Sequence, residues 1–209
     1  MSLWVIVPVK PLRRSKSKLT SILSEDERAI LNLKLYENTL KAVKEIGIPL
    51  SILVVSKDSS VLSIARMYNA KTLQEDGSSG LNLALKKAIQ VVKAYSGQSV
   101  LILPIDLPLI TKDDIASFLD VDTSSPVMVI APDRKMSGTN LLLVSPPDLI
   151  EFSYGPGSFE RHVRQAQSQG AHLEVKKINT AELDIDSPED LQLYKNLINF
   201  EDSDQFLRI

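Results

Sequence analysis

The chain of 209 residues carries 44% hydrophobic and 24% charged side chains and a formal net charge of −2, the composition of a globular protein with one sizeable core. That charge balance gives no field for nucleic acid or an anionic membrane, and the lack of cysteine excludes disulfides, zinc–thiolate centres and thiol nucleophiles. The opening MSLWVIV has neither the basic flank nor the apolar length of a signal peptide or membrane span, so a cytoplasmic location is expected.

The first element is the apolar run LWVIVPV from Leu3, which suits a strand buried on both faces. Directly after it come Lys10, Arg13, Arg14, Lys16 and Lys18, with Pro8 and Pro11 stiffening the backbone. This basic loop lacks the glycine patterns of a P-loop or a dinucleotide-binding turn, so side chains rather than backbone amides would have to hold a polyphosphate there. Ser24 and Glu27 form a capping box for a helix closed by Gly47, and a second buried strand, LSILVVS, starts at Leu50. A helix over Ser60 to Tyr68 follows. Next, a loop with Gly77 and Gly80 opens a helix from Leu81 to Tyr95, whose free amides suit an anionic or carbonyl group. Asn82 there offers a donor and an acceptor to a base or ribose.

The strand SVLILPI from Ser99 delivers Asp106 between Pro104 and Pro108, a position where a carboxylate can hold a hard cation such as Mg²⁺. Thr111 with Asp114 starts a fourth helix. Buried runs from Val127 (VMVIAP) and Asn140 (NLLLVS) place Thr139 and Asn140 at a strand entrance. Gly155, Gly157 and Ser158 begin a helix reaching Gln169 and Gly170, a start suited to a small anion. His162 lies one turn inside it and reads as a surface or core residue. Asp184 and Asp186, two apart in an extended segment, share a face and could share a metal, while Ser187, Pro188 and Asp190 supply the N-cap, first position and capping-box acid of a last helix.

Strands alternating with helices imply an α/β fold: a single-domain, doubly wound, mostly parallel sheet of Rossmann-like type over residues 1–198, with residues 199–209 as an acidic tail. Ligands of such sheets collect at the carboxyl ends of the strands. In the tail, Phe200, Phe206, Leu207 and Ile209 could serve a homodimer contact.

In this order, PVKPLRRSKSKL, GLNLAL, PIDLPL, GTNLLL, GPGSFERH and DIDSPEDL resemble the 2-phospho-L-lactate guanylyltransferase family, which makes an early intermediate of a deazaflavin coenzyme. The resemblance implies a GT-A-like nucleotidyltransferase fold, GTP as substrate, Mg²⁺ as cofactor, and transfer of GMP to a phosphorylated three-carbon acid, either 2-phospho-L-lactate or phosphoenolpyruvate. By the same resemblance Asp106, Asp184 and Asp186 would hold the metal, and Thr139, Asn140, Gly155 and Ser158 the acceptor. Lys10, Arg13, Lys18, Gly80 and Asn82 would contact the nucleotide, with Lys10, Lys16, Lys18 and Asp106 acting in catalysis. The reaction itself needs positioning and charge neutralisation more than a general base, because a phosphate monoester is largely deprotonated near neutral pH. A molybdopterin guanylyltransferase or sugar-phosphate cytidylyltransferase would usually open with a glycine-rich loop, and no glycine lies between Val5 and Leu19. A nucleotide-binding regulator without activity is disfavoured by the presence of all three aspartates and the basic loop.

Overall fold

The computed structural model describes residues 2–76, 80–123 and 126–198. Gly77 of the glycine loop and the tail at 199–209, with its expected dimer contact, lie outside them.

In chain order the elements are β1 (Leu3–Pro8), α1 (Glu25–Lys44), β2 (Ser51–Ser56), α2 (Ser59–Met67), β3 (Lys71–Gln74), α3 (Leu81–Ala94) and β4 (Ser99–Ile102). There follow α4 (Lys112–Leu119), β5 (Val127–Pro132), β6 (Thr139–Ser145), α5 (Ser158–Ser168), β7 (His172–Val175) and α6 (Pro188–Leu197). The strands join in one sheet of order β3-β2-β1-β4-β6-β5-β7. Every pairing is parallel except those of β6, which runs antiparallel to both β4 and β5.

The apolar runs form central strands because both faces are covered. In β1, Val5 and Val7 join a core layer with Tyr36 and Leu40 of α1, Val61 and Leu62 of α2, and Phe118 of α4. Trp4 and Ile6 point the other way, into a layer with Ala84 and Leu85 of α3 and Ala166 of α5. Alternate residues of one strand thus feed two cores, which is why the sequence reads as an unbroken hydrophobic run. Each fully buried large side chain contributes roughly 1.5–3 kcal/mol. The two edge strands differ. β3 and β7 each show exposed ends and half-buried centres, carry no apolar run, and were not evident in the sequence.

A third, smaller cluster packs Leu19 and Leu23 of the basic loop and Leu31 and Leu35 of α1 against Leu183, Ile185, Leu191 and Tyr194 near the chain's other end. It fixes the relation between the first loop and the DIDSPEDL segment. The capping boxes expected at Ser24, Thr111 and Ser187 are all formed. Among the described residues no helix is long and apolar enough to cross a membrane.

Candidate active site

The carboxyl ends of β1 and β4 lie side by side, and the strand order reverses between them. The loops leaving these two strands carry Lys10 and Asp106 into one cleft of about 640 Å³. Lys18, Thr139, Asn140, Gly155, Ser158, Asp184 and Asp186 line the same cleft. Residues from five separate parts of the chain therefore converge on one space. A hollow of about 690 Å³ between α3, residues 147–152 and α5 is comparable in size but gathers none of the expected metal or basic-loop residues.

The basic loop is held by side chains of α1 that carry no motif. Asn32, fully buried on α1, donates to Leu12 O at 2.8 Å and to Ser15 Oγ at 2.6 Å, and Arg28 donates to Ser15 O at 3.0 Å. Lys16 takes a left-handed backbone (φ 54°, ψ 47°), a conformation costing a non-glycine residue about 1 kcal/mol. Its side chain is only 5% exposed, donates to Ile185 O, and places Nζ 4.0 Å from Asp186 Oδ1. Lys18, 70% exposed, approaches Asp186 Oδ2 at 3.9 Å from the solvent side. Lys16 is thus a buried bridge between the loop and the acidic segment, whereas Lys10 and Lys18 face the cleft.

The acidic side is built by register. Leu183 and Ile185 enter the small cluster while Asp184 and Asp186, alternating with them, stay half-buried toward the cleft. The Ile185 N–H donates to Asp106 O at 3.0 Å, tying this segment to the end of β4. Burial pushes the Asp106 carboxyl above the usual range; Lys16 opposes the shift and Asp186 adds to it. Asp184 is pushed up to about 6, first by burial and then by Asp106 and Asp186. Two carboxylates that resist ionisation because of desolvation and mutual repulsion form an oxygen-only donor set that a hard cation would relieve, so these residues fit Mg²⁺. Among the described residues, no three His, Asp or Glu side chains stand close enough to make a ready cage.

The wall expected to take the acceptor comes from β6 and the start of α5. Gly155 sits at φ 122°, which only glycine adopts without strain, and Arg161 pins this turn. Its guanidinium donates to Ser153 O at 2.6 Å and 3.2 Å, to Pro156 O at 2.5 Å and to Gly155 O at 3.4 Å. The α5 amides expected to bind an anion are engaged within the protein: Ser158 N–H meets Gly155 O at 2.9 Å and Phe159 N–H meets Ser137 O at 3.1 Å. Gly157 is the N-cap, so the Ser158 hydroxyl is free of capping and lies 3.1 Å from Thr139 Oγ1. Asn140 lines the cleft and donates Nδ2 to Ala181 O at 2.7 Å, which holds the chain leading to Asp184.

Three expected nucleotide contacts lie elsewhere. Arg13 turns to the start of α1, 2.6 Å from Asp26 and 3.8 Å from Glu25, because that helix end concentrates negative charge. Asn82 exchanges two hydrogen bonds with the backbone of Tyr154, accepting at 2.7 Å and donating at 3.2 Å, and so clasps α3 to the turn before α5. Gly80 caps α3 without lining the cleft, although its neighbour Leu81 does. Two cations absent from the sequence reading, Arg134 and Lys135, line the cleft from the β5–β6 turn. Arg134 is anchored by its N–H to Glu182 O at 3.1 Å and by Asp190 at 3.8 Å. Turn residues of this kind give no periodic signal, and only the return of β6 beside β4 brings them over the aspartates.

Comparison with known proteins gives the family of the chain. Residues 3–208 match the family described as Guanylyl transferase CofC like. A phosphoenolpyruvate guanylyltransferase of Rubrobacter xylanophilus is 41% identical over 91% of this chain and 92% of its own. A 2-phospho-L-lactate guanylyltransferase of Methanocaldococcus vulcanius is 37% identical over 90% of this chain and 81% of its own. In fold, the chain is similar to a nucleotidyl transferase from Methanothermobacter thermautotrophicus, with a TM-score of 0.68 at 17% identity, covering 100% of this chain and 98% of that one. The match over nearly the whole chain and the identity to these relatives show that the chain belongs to the CofC-like guanylyl transferase family.

Proposed function

We propose that the protein transfers GMP from GTP to the phosphate of a three-carbon phospho-acid, 2-phospho-L-lactate or phosphoenolpyruvate, and releases pyrophosphate. The observation that carries this reading is the make-up of one cleft: Lys10, Lys18, Arg134 and Lys135 line it together with Asp106, Asp184 and Asp186, and Thr139 and Ser158 line it as well.

In the reaction, an acceptor phosphate oxygen attacks the α-phosphorus of GTP, a new P–O–P bridge forms, and the bond to the β-phosphate breaks with its electron pair leaving on pyrophosphate. Lys10 and Lys18 balance the triphosphate, and Thr139, Gly155 and Ser158 orient the acceptor so that attack is in line. Asp106, Asp184 and Asp186 would hold Mg²⁺, which when bound supplies positive charge against the phosphate oxygens. Lys16, buried behind Asp186, keeps the acidic segment in place. The acceptor brings its own deprotonated nucleophile, which accords with a histidine that cannot act as a base in the cleft: His162 is fully buried and holds bonds with both ring nitrogens.

The test is a matrix of the four nucleoside triphosphates against 2-phospho-L-lactate, phosphoenolpyruvate and 3-phosphoglycerate, read as pyrophosphate. The expected result is release that needs GTP together with one of the first two acids. Release independent of acceptor, or none from any pair, would sink the reading.

A further inference from the structure

His162 is buried, and its two ring nitrogens bond to Thr139 and to the Ser153 amide. Its Nε2 lies 2.9 Å from the Ser153 N–H, which can only donate, so Nε2 is the acceptor. Burial lowers the pKa of the ring to about 4, with Arg161 adding to the effect, so the imidazole is neutral at neutral pH. The single ring proton is therefore on Nδ1, 3.0 Å from Thr139 Oγ1. Tyr154 packs edge-on to the ring at 5.1 Å and resists its rotation.

Thr139 and Ser158 own two hydroxyl hydrogens, and one is spent in the 3.1 Å bond between them. With Nδ1–H donating into the pair, the second hydrogen remains available to the cleft. In the other tautomer Thr139 would donate to Nδ1 and Ser158 to Thr139, which leaves only lone pairs facing the ligand and repels an anion. The amides of Ser158 and Phe159 cannot substitute, because both are bonded within the protein. We propose that His162 is a positioning residue for the acceptor: its Nδ1–H tautomer, fixed by the Ser153 amide, commits the Thr139–Ser158 pair to donating a hydrogen bond to an anionic oxygen. This rests on the reading that those hydroxyls face the phospho-acid.

Three measurements test it. Long-range ¹H–¹⁵N correlation on the free wild-type protein, assigned with His162→Gln, is expected to show a protonated Nδ1 and a bare Nε2; the reverse tautomer overturns the proposal whatever the substrate is. In kinetics, His162→Asn keeps an N–H in the place of Nδ1, whereas His162→Gln keeps a group near Nε2 and loses the donor to Thr139. The Gln variant is expected to raise the acceptor KM about tenfold or more with the GTP KM unchanged, and the Asn variant to restore most of it. Equal losses in both variants, or equal changes in both KM values, would mark a merely structural role. Should wild type release no pyrophosphate with either acid, the proposed function fails instead, and calorimetric binding of inorganic phosphate to wild type and to His162→Gln decides this point: a loss in the variant supports it, and equal binding overturns it. If the variants do not fold, the wild-type tautomer is decisive.

Discussion

Asp106 shows how a single residue can be legible in type and still take its meaning from its surroundings. A carboxylate between two prolines after a buried strand is a candidate ligand, but only the structure shows that Lys16 and Asp186 pull its pKa in opposite directions while burial dominates. Because ionising Asp106 is disfavoured in the fold, Asp106→Asn removes a strained charge and should leave the thermal midpoint unchanged or slightly higher. The same change should reduce kcat about 10²-fold or more. Added Mg²⁺ should raise the midpoint of wild type and not that of the variant; a variant that keeps wild-type turnover at saturating Mg²⁺ would refute the role. Arg13 and Asn82 illustrate the converse. Both have the right chemistry for a nucleotide, yet the α1 terminus and the Tyr154 backbone claim them through contacts that neighbouring sequence does not reveal.

At the scale of elements, the end of the chain uses one helix cap for two purposes. Asp190 accepts from Ser187 N at 2.9 Å, Ser187 Oγ at 2.8 Å and Asp186 N at 3.2 Å, so the cap of α6 also fixes the backbone of a proposed metal-binding acid. Ser187→Ala should cost about 1 kcal/mol of stability and also lower kcat. Ser24→Ala, at the cap of α1, should cost a similar amount with kcat preserved. Urea denaturation and steady-state kinetics on the pair check this, and equal activity in both variants would separate the α6 cap from the site. The capped helices and the strands buried on both faces were legible because each follows from local chemistry: a side chain satisfying end amides, or an apolar run meeting two cores. β3 and β7 were not, since a four-residue edge strand with exposed ends owes its existence to the neighbour it pairs with.

Over the whole molecule, pH is a global reporter of what the core has enclosed. His162 has a folded pKa of about 4 against an ordinary value near 6.5, so the fold favours its neutral form. Its contribution to stability is therefore complete above about pH 6.5 and lost as pH falls toward 4. Asp184, raised to about 6, acts with the opposite slope, since its fold favours the protonated form and stability declines as pH climbs from the ordinary carboxylate value to about 6. Comparing wild type with His162→Gln cancels the Asp184 effect. Between pH 7 and pH 4.5, wild type should lose about 2 kcal/mol more than the variant in urea unfolding. Parallel losses would show that the imidazole is not held neutral.

Sequence alone determined the alternation of strands and helices, their caps, and the types of residue available for phosphate and cation chemistry, because periodicity, capping and charge are local properties. Only tertiary structure decided which of those residues share a space. The packing of Leu19 and Leu23 against Ile185 and Leu191 sets Lys16 beside Asp186 across most of the chain's length, and the antiparallel return of β6 brings Thr139, Arg134 and Lys135 to the cleft that Asp106 enters. Contacts between such distant segments depend on how two apolar surfaces fit, and no short window of sequence contains both.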